Sequence, residues 1–276
     1  MNATPFQSFV RVISFPLLAR REGMPGILQH LKGLQNSQFY TKDHLLELQF
    51  TRLKNLLSHA NDHVPYYRAI FQEVGFEPKS FKSFEDLSRL PFLTKSIIRN
   101  EGDRLLAGSI PASEMHRSET GGTTGVKMGF YRNNACLAPK EAALYRFEQW
   151  SGWNIGERMG LVWPAQQDYV GHWTFKTRVK NELFQRQVVF PAAVLDEEAI
   201  ADYVALLRNK RPAMIRAFVS PLCETARYLT NHNISDISPK GVITTGEPLY
   251  DRQRQLIAQA FNCPVFDSYR CREVGP

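Results

Sequence analysis

Apolar residues early in the chain recur at helical spacing. Between residues 41 and 63, Leu46, Phe50, Leu53, Leu57 and Ala60 fall at steps of three and four and make one stripe. Thr41 or Asp43 can cap this helix, and Pro65 bars its continuation. A short helix follows and is expected to end near Gly75. Ser83-Phe84-Glu85-Asp86 has the form of a capping box, with Asp where Glu or Gln is usual, and Thr94 can cap a further helix.

The pattern changes near residue 115. Two short strands are expected to flank the glycine-rich stretch Thr120–Gly125, the second over Lys127–Arg132. Residues 134–151 read as a helix with Leu144, Phe147 and Trp150 on one side. From there strands and helices alternate. Strands are expected at Met159–Trp163, Gln187–Phe190, Ala213–Val219, Gly241–Thr245 and Val265–Tyr269. Helices are expected from Asp196 through Arg208, from Ser220-Pro221 onward with proline first, and over Tyr250–Phe261. Alternation of this kind makes an α/β sheet with helices on its faces. The expected organisation is a helical region over 1–113 and an α/β domain over 114–276, with a mixed, largely parallel sheet.

Composition narrows this picture. Of 276 residues, 43% are hydrophobic, enough for a sizeable core. No run reaches the ~18–20 apolar residues of a membrane span. Val12-Ile13-Ser14-Phe15-Pro16-Leu17-Leu18-Ala19, between Arg11 and Arg20-Arg21, lacks the form of a signal peptide. Two readings remain for it: a segment docked on the rest of the chain, which is preferred, or a weak membrane-surface helix. The net charge of +7 is spread along the chain, so a solvated surface is expected rather than nucleic-acid binding. Four cysteines, none in a Cys-x-x-Cys pair, signal neither zinc nor a disulfide framework and fit a reducing cytoplasm.

The stretch Thr120-Gly121-Gly122-Thr123-Thr124-Gly125 packs three glycines and three threonines into six positions. Such a loop turns unpaired N–H groups toward an anion, and the hydroxyls add donors. It is not a Walker A motif, because Val126 precedes Lys127 and Met128 stands where a hydroxyl is needed. The plain alternative is a glycine-rich hairpin turn. Two further stretches stand out downstream: Thr244-Thr245-Gly246-Glu247-Pro248-Leu249 and Asp267-Ser268-Tyr269-Arg270-Cys271-Arg272-Glu273.

Together, in this order and approximate spacing, the three stretches resemble the motifs of the adenylate-forming enzymes. The likeness is to the branch of phenylacetate–coenzyme A ligases and capsular polysaccharide biosynthesis proteins. Val64-Pro65-Tyr66-Tyr67-Arg68 and Leu90-Pro91-Phe92-Leu93-Thr94-Lys95 extend it toward the amino terminus.

The resemblance implies ATP, Mg2+ and a small-molecule carboxylate, with coenzyme A as one candidate acceptor. It assigns the β- and γ-phosphates to Thr120, Gly121, Gly122, Thr123, Thr124, Gly125 and Lys127. It assigns the adenine to Gly246, Glu247, Pro248 and Tyr269, and the metal to Glu273. The family's Pro-Lys ending is here Val126-Lys127. Arg270 and Arg272 replace the usual glycine and Ser/Thr. Trp163, Pro164, His172 and Trp173 lie between the motifs, where an acyl pocket would be sought, but aromatic residues are more often core. The family's mobile carboxyl-terminal domain, with its catalytic lysine, has no counterpart in this sequence. The expectation is therefore an incomplete chain with little turnover. The competing reading is a non-catalytic nucleotide-binding or membrane-surface protein on the same fold.

Overall fold

The computed structural model describes residues 4–119, 128–163, 175–191, 195–271 and 273–275. The chain divides into two compact units. One comprises residues 1–31 and 138–276, the other residues 32–137. By contacts, then, the first helices go with the α/β unit, and the hairpin around residues 118–127 goes with the helical one.

The helical unit contains most of α3 (Ile27–Ser37), then α4 (Lys42–His63), α5 (Pro65–Glu73) and α6 (Lys95–Glu101). Of the two capping candidates for α4, Thr41 is used: its Oγ1 accepts from His44 N at 3.3 Å. Pro65 stands at the first position of α5, where its missing N–H costs nothing. Leu57 of the α4 stripe is buried with Phe71, Phe76 and Phe81, and the Phe50 ring stacks on Phe81 at 4.8 Å. Phe84–Arg89 is a 3-10 helix. The Asp86 carboxylate accepts from Ser83 N at 3.1 Å and Lys82 N at 2.9 Å, so aspartate performs the reach-back of a capping box. The unit closes with a hairpin of β1 (Met115–Glu119) and β2 (Gly129–Asn133), antiparallel, with Glu119 opposite Gly129.

The α/β unit is built on five parallel strands: β3 (Met159–Trp163), β4 (Gln187–Pro191), β5 (Met214–Phe218), β6 (Gly241–Thr245) and β7 (Val265–Ser268). Their order is β4-β3-β5-β6-β7. Strand β6 is buried along its whole length, as expected of a sheet covered on both faces. Ile215 and Ala217 of β5 share one core cluster with α9 (Glu197–Lys210), α10 (Val219–Asn231) and α11 (Asp251–Phe261). Asp196 caps α9, accepting from Ala199 N at 2.8 Å. Helix α10 begins at Val219, so Pro221 is its third residue, not its first. Within the first turn no intrahelical N–H bond is due, and the proline is tolerated there too.

On the other face of β5 lies α7 (Leu137–Gln149). Its buried residues are Ala138, Ala142, Leu144, Tyr145 and Glu148, while Trp150 is half exposed. The Leu144, Phe147, Trp150 stripe expected from apolar spacing is therefore rotated, and a carboxylate points inward. Arg216 answers it: its guanidinium is ion-paired with Glu148, and both side chains are buried. Glycine at 241 lets Ser151 approach, since a Cβ there would lie 2.9 Å from the Ser151 carbonyl oxygen.

The amino-terminal helices α1 (Pro5–Phe9) and α2 (Phe15–Arg21), joined by a π-helical turn at Val10–Ser14, dock on this unit. Ser14 Oγ donates to the Leu183 carbonyl at 2.6 Å, beside α8 (Phe175–Leu183). Phe15 packs at 5.1 Å from Phe184 and 5.5 Å from Tyr145, ring centre to ring centre. Docking, the preferred expectation for this segment, is what one side of it does.

Candidate nucleotide site at the carboxyl ends of the parallel strands

The second and third motifs lie at neighbouring strand ends. Strands β6 and β7 are paired, with Thr245 opposite Ser268. Thr245 Oγ1 donates to the Ser268 carbonyl at 3.1 Å, and Thr244 Oγ1 donates to Asp267 Oδ1 at 3.3 Å. Threonines in a buried strand thus satisfy their hydroxyls sideways, and the two loops that follow start from one fixed edge. In open α/β sheets this is where ligands bind.

Gly246 takes a φ of +81°, open to glycine at no steric cost. A Cβ at this position would lie 2.3 Å from Phe218 Cε1. The close approach that demands glycine is therefore to the ring ending β5, whatever a ligand does. Glu247 is likewise employed within the fold. Its Oε2 accepts from Ser220 N and from Ser220 Oγ, each at 2.7 Å. Helix α10 has no side-chain cap from its own N-cap residue, Phe218, so the carboxylate stands at its positive end. Pro248 is exposed and leads into α11.

Tyr269 follows β7 with 93% of its surface exposed, an open aromatic face beside the Gly246 turn. Beyond it, Cys271 and Gly275 exchange backbone hydrogen bonds at 3.3 and 3.0 Å and close a tight turn. Gly275, at φ +97°, lies against the aliphatic chain of Lys140. Glu273 sits exposed in this turn. Arg270 is partly buried and its positive charge acts on Glu148. Burial raises the Glu148 carboxyl above its ordinary value, and the guanidiniums of Arg216 and Arg270 oppose that rise. One of the two cations that depart from the family motif thus answers a charge in the core.

These residues suit a nucleotide and a hard cation. The exposed tyrosine offers a stacking face. A single exposed carboxylate is what Mg2+ uses when phosphates and water complete its shell. Among the described residues no group of three or more His, Cys, Asp or Glu gathers as a metal cage.

Thr120, Gly121, Gly122, Thr123, Thr124, Gly125 and Lys127 lie outside the described residues, as do Arg272, Pro164, His172 and Trp173. The hairpin that carries the glycine loop is described on both sides of it. Arg132 donates to Ser118 Oγ at 2.6 Å across the two strands. Strand β2 starts at Gly129, two residues later than expected. Within the same unit a cleft of about 550 Å3 is lined by Tyr67, Arg99, Asp103, Arg117 and Tyr131.

The cysteines differ in setting. Cys136 is exposed and its thiol donates to Asn133 Oδ1 at 2.9 Å, at the foot of β2. Burial pushes the Cys223 thiol up, and that of Cys263 to about 11. None of the four is in a disulfide.

Sequence reasoning found the strand ends but missed Phe218, Ser220 and the Glu148–Arg216 pair. A carboxylate within an otherwise apolar helical face was the one available signal for the last of these.

A parallel sheet carries an exposed tyrosine, a glycine turn and an acidic turn at its carboxyl edge, the place where open α/β folds take their ligands. Known proteins sharpen this. No protein-family model matches the chain. Protein CapK of Staphylococcus aureus is 26% identical over 238 residues, covering 84% of this chain and 51% of that protein. The phenylacetate–coenzyme A ligase of Pseudomonas putida is 25% identical over 240 residues, covering 85% and 52%. A 2-hydroxyisobutyryl-CoA ligase, solved with 2-HIB-AMP and CoA, superposes with a TM-score of 0.65 at 24% identity, covering 86% of this chain and 51% of that one. The chain spans about half the length of the curated relatives it matches. The chain is thus similar in sequence to phenylacetate–coenzyme A ligases and CapK, and it shares the fold of a solved acyl-CoA ligase.

Proposed function

We propose that this chain carries the nucleotide-binding part of an acid–thiol ligase. A carboxylate oxygen attacks the α-phosphorus of ATP, pyrophosphate leaves, and a thiol, that of coenzyme A, then displaces AMP from the acyl carbon. The observation that carries this reading is the pairing of β6 with β7, which sets the Gly246 turn beside Tyr269. Tyr269 stacks on the adenine, the backbone of Gly246, Glu247 and Pro248 lines its edge, and Glu273 holds Mg2+. The fixed Ser220–Glu247 bridge makes that lining rigid before nucleotide arrives. Thr120, Gly121, Gly122, Thr123, Thr124, Gly125 and Lys127 hold the phosphates through N–H groups, hydroxyls and one cation. Mg2+ supplies charge neutralisation when bound. Relatives named for phenylacetate, and a structural neighbour solved with an acyl-AMP and CoA, support an organic acid as substrate and coenzyme A as acceptor. Four cysteines without a disulfide support a reducing, cytoplasmic setting.

Titration calorimetry of the chain with ATP and Mg2+ tests the nucleotide site. Binding is expected, and combined Thr123→Ala and Thr124→Ala changes should weaken it at least tenfold, roughly one lost charge-assisted hydrogen bond. Undiminished binding by that variant removes the phosphate-loop assignment. Magnesium-dependent pyrophosphate exchange with a panel of aryl and aliphatic acids, measured on a protein extended to the length of the relatives, tests the chemistry. Nucleotide binding by a protein in which no acid supports exchange would favour the non-catalytic reading.

A further inference from the structure

The helical segment Pro5–Arg21 is apolar around most of its circumference. Its inner side is used within its own unit, where Val10, Phe15 and Ala19 are buried. A helix apolar on all sides asks for cover on all sides. On the outer side Phe9, Val12, Ile13 and Leu17 are 42, 66, 50 and 67% exposed. They follow one another at steps of three, one and four, so they form a single stripe rather than scattered surface residues. Helix α8 is tied to this segment by the Ser14–Leu183 bond and by a 2.7 Å Lys180–Glu22 ion pair. It adds Phe175 and Val179, four residues apart and 84 and 40% exposed.

Cations surround these side chains. Arg11, Arg20, Arg21, Lys176 and Arg178 are all exposed. The acids on the same two segments are engaged: Glu22 with Lys180, and Glu182 with Arg158 at 3.3 Å. Large apolar side chains fringed by guanidinium and ammonium groups match an anionic bilayer surface, where the former enter the acyl boundary and the latter meet lipid phosphates. A second copy of the chain is a poorer match. A two-fold pairing would set this same basic fringe against itself.

We propose that the outer face of Pro5–Arg21, with α8 beside it, is a docking surface for an anionic lipid bilayer. It leaves the strand ends of the nucleotide site uninvolved, so the two functions are separable.

The test is co-sedimentation of the chain with phosphatidylcholine vesicles, with and without phosphatidylserine. Binding is expected only with phosphatidylserine, and it should fall as salt rises. Arg20→Gln and Arg21→Gln should each weaken it about fivefold, the usual weight of one cation at such a surface. Val12→Gln with Leu17→Gln should abolish it. All four positions are exposed, and unchanged thermal unfolding and ATP binding would show that the variants fold. No binding to phosphatidylserine vesicles overturns the proposal, as does binding indifferent to the Val12/Leu17 changes. A dimer in analytical ultracentrifugation that those changes split would overturn it too, and would assign the face to a second copy.

Discussion

The carboxylate of Glu247 caps a helix that starts at the end of a different strand: Ser220 N and Oγ both donate to its Oε2 at 2.7 Å. The second motif is thereby fastened to the start of α10. Glu247→Ala should destabilise the chain by about 1–2 kcal/mol, the usual weight of an N-cap. Glu247→Gln, which keeps an acceptor, should cost less. Urea unfolding of the two variants checks this. Equal losses would show that charge, not the hydrogen bonds, matters here.

Gly246→Ala should be more damaging than its size implies. The backbone is at φ +81° and the new methyl would meet the Phe218 ring at 2.3 Å. A strained φ and a steric clash together should cost about 2–4 kcal/mol. Adding Phe218→Leu should return the steric part but not the backbone part. A double-mutant cycle in urea unfolding separates them, and strict additivity would refute the contact.

The Glu148–Arg216 pair predicts a pH dependence of uncommon sign. Burial raises the folded-state carboxyl above its ordinary value, so the folded chain holds this proton more tightly than the unfolded chain. The stability this confers is fully present below the unfolded value and is lost as pH rises through the folded one. Relative to Glu148→Gln, the parent should therefore lose stability as pH rises from acid toward neutral. Unfolding measured across that range checks the sign. Arg216→Met, which takes the ion-pair partner from a buried carboxylate and leaves it only the Arg270 charge, should cost up to about 3–5 kcal/mol, and Glu148→Gln in the same chain should return part of it.

Glu273→Gln should weaken ATP binding chiefly when Mg2+ is present, because an amide is a poorer ligand for a hard cation. Roughly tenfold is expected. Calorimetry with Mg2+ and with EDTA decides it. Equal weakening in both would give Glu273 a structural role in the Cys271–Gly275 turn instead.

Much of the α/β framework is legible because its signals are local. Strands β3 to β7 begin and end within a residue or so of the expected places, as alternation and strand-end glycine and proline fix them. What escapes is decided by distant partners. Nothing near residue 148 announces Arg216, 68 positions away. The same is true of Gly246, whose neighbour Phe218 is brought in by the β5–β6 pairing. Trp150 misleads for a related reason: it is apolar and in phase, yet it lies at the half-exposed end of α7, under the Arg146 guanidinium at 4.8 Å. The amino-terminal segment reads as either docked or membrane-facing; one side of it is docked, and the exposed other side is the one proposed above for a bilayer.

The settings of the four thiols make the chain its own labelling reagent. Two have their ionisation suppressed by burial, and Cys136 alone is exposed. A maleimide dye at neutral pH should therefore attach first at Cys136, because the thiolate is the reacting form. A Cys271→Ser change would remove the fourth thiol as a competitor. Cys136 stands at the foot of the hairpin whose tip is the glycine loop. A fluorophore there would watch the loop from three residues beyond the strand that bears it, without altering any residue assigned to the nucleotide.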